Sequence, residues 1–172
     1  MPPLVTIPSL LLPLCTSTAT ATLAVFQYPM FNCFLAPGIA GTPFSKYWAR
    51  QFYQGVPSIV LPVLASTVSG LLAARSLRAL GSTAGVETAW WFTAGAVLAA
   101  GHLAFVPAVG PLINAMIENG RKGNGLSAGQ REKRNGQSQR TWFMWHTLRS
   151  LSVDALALMC FAKGVVMAVE VA

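Results

Sequence analysis

The residues best equipped for chemistry lie in one decapeptide, TWFMWHTLRS, residues 141–150. Trp142, Trp145, His146 and Arg149 follow at offsets of zero, three, four and seven, which places all four on one face of a helix. A helical face carrying His beside Arg suits a bundle interior or a wet interfacial pocket better than lipid. Imidazole exchanges a proton near neutral pH, so His146 is a candidate general base. Arg149 stays protonated and offers a cation to a developing oxyanion. The competing reading is an anchor, with Trp and Arg at headgroup depth and His146 incidental. The residues alone leave both open.

Three further residues bear on that choice. Asn114, in VPAVGPLINAMIENG, is expected near the same end of the preceding span, where its amide would cap the helix or orient a ligand oxygen. His102 lies twelve residues before Asn114, about 18 Å deeper along a helix. It is either a functional group or a neutral imidazole bonded to a Ser or Thr. Asp154 follows His146 by eight residues, rotated by about 80° in a regular helix, and is a candidate for orienting the same pocket. Lys163, nine residues beyond Asp154, falls on the opposite face and does not pair with it.

Common site signatures are missing. No GxGxxG follows a strand, and neither GxxxxGK[ST] nor GxSxG occurs. Two His and three separated Cys (Cys15, Cys33, Cys160) form no zinc spacing and no disulfide framework, so no metal is expected and the cysteines read as small buried hydrophobes.

The elements that must position these residues follow from composition. Of 172 residues, 53% are apolar and 10% are charged. No Asp, Glu, Lys or Arg occurs in 1–45, 51–74 or 88–117. Charge-free stretches of that length are membrane spans. A water-soluble enzyme, a DNA-binding domain and a disordered chain are excluded, and a β-barrel is disfavoured because its strands would alternate apolar and polar residues. One integral membrane domain over residues 1–172 is expected: an all-α membrane protein, an antiparallel four-transmembrane-helix bundle.

The spans are expected at about 14–34, 55–74, 88–116 and 141–170. Pro8 and Pro13 should keep the first dozen residues out of regular helix, as a lead-in retained rather than cleaved because no basic region precedes it. The Ser/Thr run from Thr16 to Thr22 can bond back to its own helix. Residues 35–54 read as a loop whose FSKYWARQFY segment suits an interface. Pro62 should kink the second span. Trp90, Trp91 and Phe92 open the third as an interfacial belt, and 118–140 reads as a solvated basic loop.

The first and third loops hold Lys46, Arg50, Arg121, Lys122, Arg131, Lys133, Arg134 and Arg140, against Arg75 and Arg78 on the other side. Both termini are therefore expected outside the cytosol, with loops 35–54 and 118–140 inside. The net charge of +7 is then an orientation signal, and no nucleic-acid partner is expected.

Four short spans, Asn114, a basic linker and the W-H-x-x-R opening of the last span (Trp145, His146, Arg149, with Trp142 one turn before) resemble the anthrone oxygenases, with added support from YWARQFYQG. These are small, mainly fungal membrane proteins long catalogued as a domain of unknown function. The resemblance implies oxidation of an anthrone to an anthraquinone in aromatic polyketide biosynthesis, with O2 as co-substrate and neither metal nor flavin. His146 would remove a proton from the central CH2, Arg149 and Asn114 would stabilise the oxygen that gains charge, and Trp142 and Trp145 would hold the planar tricycle. Membrane lipid is the other expected partner. Two other functions fit the same chain: a small transporter or exporter using His102, Asp154 and Lys163, and a non-catalytic scaffold docking an enzyme through residues 121–140.

Overall fold

The computed structural model describes residues 6–121 and 124–171, so the first five residues of the expected lead-in, Lys122 and the Glu170 side chain lie outside the described residues. Four helical spans are long and apolar enough to cross a membrane: Ile7–Leu35, Thr42–Arg78, Thr83–Glu118 and Ala128–Val169. The chain is an all-α, four-helix, multi-pass membrane protein.

Every span is longer than the sequence suggests. Helix α1 covers Ile7–Asn32 and continues as a 3-10 turn, Cys33–Leu35. It begins seven residues before the expected start, because Pro8 sits in the first turn, where a missing N–H costs no intrahelical bond. Thr16, Thr18 and Thr20 donate to Leu12, Leu14 and Thr16 carbonyls, as the Ser/Thr run suggested. Cys15 and Cys33 are exposed and Cys160 is half-buried, not the buried hydrophobes expected. Their helices turn these positions outward, the side a membrane-spanning helix presents to lipid.

Helix α2, Thr42–Arg78, already contains FSKYWARQFY and runs through both Pro57 and Pro62. The expected loop 35–54 is reduced to a turn over 36–41, where Gly38 takes φ +81°. The third span divides into α3 (Thr83–Gly101), a 3-10 turn (His102–Phe105) and α4 (Val106–Glu118). Ser82 caps α3 by accepting from the Gly85 amide at 3.1 Å. Pro107 accounts for the interruption, since it cannot donate to the Leu103 carbonyl and its ring crowds that oxygen. Trp90 and Trp91 are exposed as expected, whereas Phe92 is buried.

The largest correction concerns 118–140. Helix α5 spans Ala128–Arg149, so only residues 119–127 separate it from α4. A capping box starts it: Gln130 N–H donates to Ser127 Oγ at 3.3 Å, and Ser127 N–H donates to Gln130 Oε1 at 2.9 Å. A π-turn, Ser150–Asp154, then joins α5 to α6, Ala155–Val171.

The chain forms two compact units, residues 1–23, 59–104 and 149–172, and residues 24–58 and 105–148. In the first, α3 and α6 are the most extensively paired elements. Alanines 73, 74, 89, 96 and 157 bring backbones close, and the Phe161 ring lies against Gly70 and Gly95 while Phe92 lies against Gly164. Small residues of this kind give membrane helices their van der Waals contact. In the second unit the core is aromatic: Phe31, Phe44, Trp48 and Trp142, with Ile113 and Met116.

A Cβ at Gly95 would stand 2.7 Å from the Phe161 ring. Gly95→Val should therefore cost about 1–3 kcal/mol, read as a lower thermal midpoint in detergent. Gly136→Ala, whose added carbon meets nothing within 4 Å, should not lower it.

Candidate functional site

In the second unit, one face of α5 is buried from its polar beginning to its aromatic end. Asn135, Gln139, Trp142 and His146 are each 5% exposed or less and recur at intervals of four, three and four. Asn135 Nδ2 donates to the Ala40 carbonyl at 2.8 Å and to Ser45 Oγ at 3.1 Å, while its Oδ1 accepts from Asn119 Nδ2 at 2.9 Å. Gln139 Oε1 accepts from Trp48 Nε1 at 3.0 Å. These bonds tie the start of α5 to its neighbours despite Gly129 and Gly136, and only the Gln139 Nε2 group of the two amides is buried with no partner among the described residues.

His146 is 1% exposed. Its Nε2 lies 3.0 Å from the Ala24 carbonyl oxygen. A carbonyl only accepts, so Nε2 carries the hydrogen, and in the neutral ring Nδ1 is the basic nitrogen. The imidazole stacks on Trp142 (centroids 4.7 Å apart, 9° between planes) and meets Tyr28 at 4.9 Å and 54°. Trp142 also contacts Phe31, Trp48 and Phe143, so its ring is used by the protein's own core rather than presented as a free platform. Trp145 is half-buried and meets Phe105 edge-on at 6.3 Å. Asn114 is exposed on α4, between buried Ile113 and Met116, and does not join these residues.

Beside this cluster the same unit has an open cleft of about 510 Å³, lined by Tyr28, Pro29, Asn32, Leu35, Arg140 and Phe143. Tyr28 and Phe143 stack at 5.7 Å, with 16° between planes. The Tyr28 hydroxyl donates to Thr147 Oγ1 at 2.6 Å, which fixes the ring as a wall. Tyr28 is thus shared: it lines the cleft and touches His146. A second cleft of about 370 Å³ shares Leu35 and Arg140 with the first and adds Lys133.

In the first unit the structure assembles a different group. Asp154 Oδ1 lies 2.8 Å from His102 Nδ1, and Arg149 Nε–H donates to Asp154 Oδ2 at 3.3 Å. All three residues are buried. His102 is therefore held by a carboxylate, not by a Ser or Thr. Arg149 is the ion-pair partner of Asp154, and Asp154 serves this cluster. The π-turn makes this possible. Buried positions here are Arg149, Asp154, Ala157, Phe161, Gly164 and Ala168, at intervals of five, three, four, three and four. An α-helix repeats every 3.6 residues, so the interval of five needs the extra residue of an i→i+5 turn. Without it the buried face would fall on Ser152 or Val153. Lys163 is exposed, consistent with its expected separation from Asp154.

Tyr28, Asn32, Arg140 and Phe143 are the cleft residues that sequence reasoning missed. The available signal was the 4-3-4 recurrence of Asn135, Gln139, Trp142 and His146, which carries a helix upstream through the polar segment and makes Arg140 helical. Among the described residues, no group of three or more His, Cys, Asp or Glu is placed to hold a metal ion. No protein-family model, curated protein or solved structure matches the chain.

Removing one member of a buried ion pair leaves the other uncompensated. Asp154→Asn should lower stability by about 3–5 kcal/mol. Thermal denaturation in detergent checks this, and a loss comparable to that of an exposed substitution would show that the pair does not hold Arg149.

Proposed function

We propose that the protein is a membrane-bound oxygenase that converts an anthrone-type polyketide intermediate to an anthraquinone with O2. The observation that supports it is the cleft whose aromatic wall, Tyr28, stands against the buried imidazole of His146. A stacked pair of rings, an amide and a guanidinium are what a flat, phenol-rich tricycle requires of a binding surface. The W-H-x-x-R resemblance supports the same substrate class. The chemistry needs one base and one anion-stabilising group, which His146 and Arg140 supply; Asn32 adds a donor where Asn114 was expected to.

The anthrone CH2 is acidic because its carbanion is an aromatic, phenolate-like anion. The substrate binds against the Tyr28–Phe143 stack, and His146 takes one proton from the CH2 when Tyr28 swings from between them, giving up its bond to Thr147 Oγ1. Arg140 holds the oxygen that gains charge. The anion passes one electron to O2, and the resulting radical combines with superoxide to form a C–O bond and a peroxide. The second C–H proton leaves as the O–O bond breaks, so that CH2 and O2 become C=O and water. Neither metal nor flavin enters the reaction. Membrane lipid delivers the apolar substrate, and the excess of Lys and Arg at the span ends beside the α1–α2 and α4–α5 turns, against Arg75 and Arg78 at the other, supports a cytosolic α4–α5 turn with both termini outside.

Oxygen uptake by the purified protein, given an emodin-type anthrone with chelator present and flavin omitted, tests this reading. Spontaneous oxidation is subtracted. His146→Ala should lower the protein-dependent rate at least 100-fold, the low end for a general base, and Arg140→Gln should raise KM. Full uptake in His146→Ala at wild-type expression would remove the base assignment. No uptake above background on several anthrones would remove the oxygenase. The buried His102–Asp154–Arg149 cluster favours a second reading, a small transporter, which predicts substrate movement into vesicles without oxygen consumption.

A further inference from the structure

The second cleft, of about 370 Å³, lies wholly within the second unit, between the end of the first span and the first half of α5. One wall is apolar, with Phe34, Leu35 and Pro37. The other is the α5 face that carries Lys133, Gly136, Gln137 and Arg140, at intervals of three, one and three. An α-helix turns these positions to one side. Gly136 gives that wall its depth: a Cβ there would meet nothing within 4 Å, so bare backbone stands open between the two cations.

The charges of the lining do not balance. Among the described residues, neither Lys133 nor Arg140 has a hydrogen-bond or ion-pair partner, whereas the nearby Arg131 donates to the Asn119 carbonyl and to Thr42. Glu132 also lines the cleft, and its Oε1 accepts from the Gly38 amide. Two cations against one carboxylate leave one positive charge without a counter-charge. The cleft also marks a change of medium. The first span ends at Leu35, and α5 passes from charged to apolar residues just beyond Arg140. That is headgroup level, where cations beside apolar surface are at home.

We propose that this cleft binds the headgroup of one anionic phospholipid. The phosphodiester lies between Lys133 and Arg140, over Gly136, and Gln137 donates to one of its oxygens. The glycerol ester region lies against Phe34, Leu35 and Pro37. Arg140 offers a fork of N–H donors and Lys133 a point charge. Their Cα atoms are about 10 Å apart along the helix axis, a gap that two long side chains close around one phosphate. A phosphodiester carries the single negative charge that the lining lacks. Free phosphate offers similar oxygens but nothing for the apolar wall to cover. The site does not depend on the oxygenase reading, with which it shares the Arg140 guanidinium.

The purified full chain in neutral detergent, titrated with dioleoylphosphatidylglycerol and with no anthrone present, tests this. One bound lipid per chain by native mass spectrometry and a saturable rise in thermal midpoint are expected. Dioleoylphosphatidylcholine, or sodium phosphate, at the same concentrations should raise the midpoint less. Lys133→Gln should weaken phosphatidylglycerol binding about five-fold, the effect of one basic residue beside an anionic lipid. Arg134→Gln removes the same charge at the next residue, which lines neither cleft, and should weaken binding less. Gly136→Leu, which fills the cleft, should weaken it at least as much as Lys133→Gln without lowering the lipid-free midpoint. Equal losses in Lys133→Gln and Arg134→Gln would overturn the site in favour of diffuse surface charge. An equal response to phosphatidylcholine would overturn recognition of an anionic head, and an equal response to sodium phosphate would replace the lipid with a soluble anion.

Discussion

A charge placed among apolar helices must find its counter-charge inside the protein, and Asp154 imposes that constraint on the first unit. Its carboxylate has Arg149 on one oxygen and His102 on the other. Neither contact is available to a regular helix in this register. The fourth span inserts a π-turn to bring Asp154 onto the buried face, and the third span breaks at His102, the first residue of its 3-10 turn. Two backbone irregularities in different spans thus converge on one buried ion pair. Each irregular segment turns one ionisable residue, His102 or Asp154, into the protein, while Ala104 and Leu151 beside them stay exposed.

The second unit solves a related problem with neutral groups. Asn135 and Gln139 are as buried as the phenylalanines around them; Asn135 bonds to the Ala40 carbonyl in the turn and to Ser45 in the first turn of α2, and Gln139 to Trp48 of α2. These bonds fix the turn at 36–41, where Glu132 also accepts from the Gly38 amide. They align α5 so that Trp142 and His146 enter the aromatic core while Arg140 and Phe143 face the cleft. The polar residues that look like a solvated linker are therefore what orients the candidate site.

How much of this was legible divides along physical lines. Fold class, membrane embedding and three of the four spans follow from charge-free length, whereas the fourth carries Arg149, Asp154 and Lys163 and follows only from the apolar run around them. Span ends did not follow, because polar residues such as Asn135, Gln139 and Lys46 lower apparent helix length without preventing helix formation. Ser127 and Gln130 spelled a capping box, and that signal was readable. Of the four residues placed on one face by their spacing, Trp142, His146 and Arg149 are buried and Trp145 is half-buried. What the spacing does not contain is the partner of each: Arg149 faces Asp154 because of a π-turn for which nothing in SLSVD gives a local signal. Asn114 is exposed on α4, a direction that its position near a helix end does not reveal.

The stack of His146 on Trp142 has an optical consequence. An indole in van der Waals contact with an imidazolium transfers excited-state charge to it, whereas a neutral imidazole quenches far less. At 4.7 Å and 9° the two rings are close to parallel. The emission of Trp142 therefore carries the charge state of its neighbour, and the protein has a built-in reporter for whether the imidazole holds one hydrogen or two.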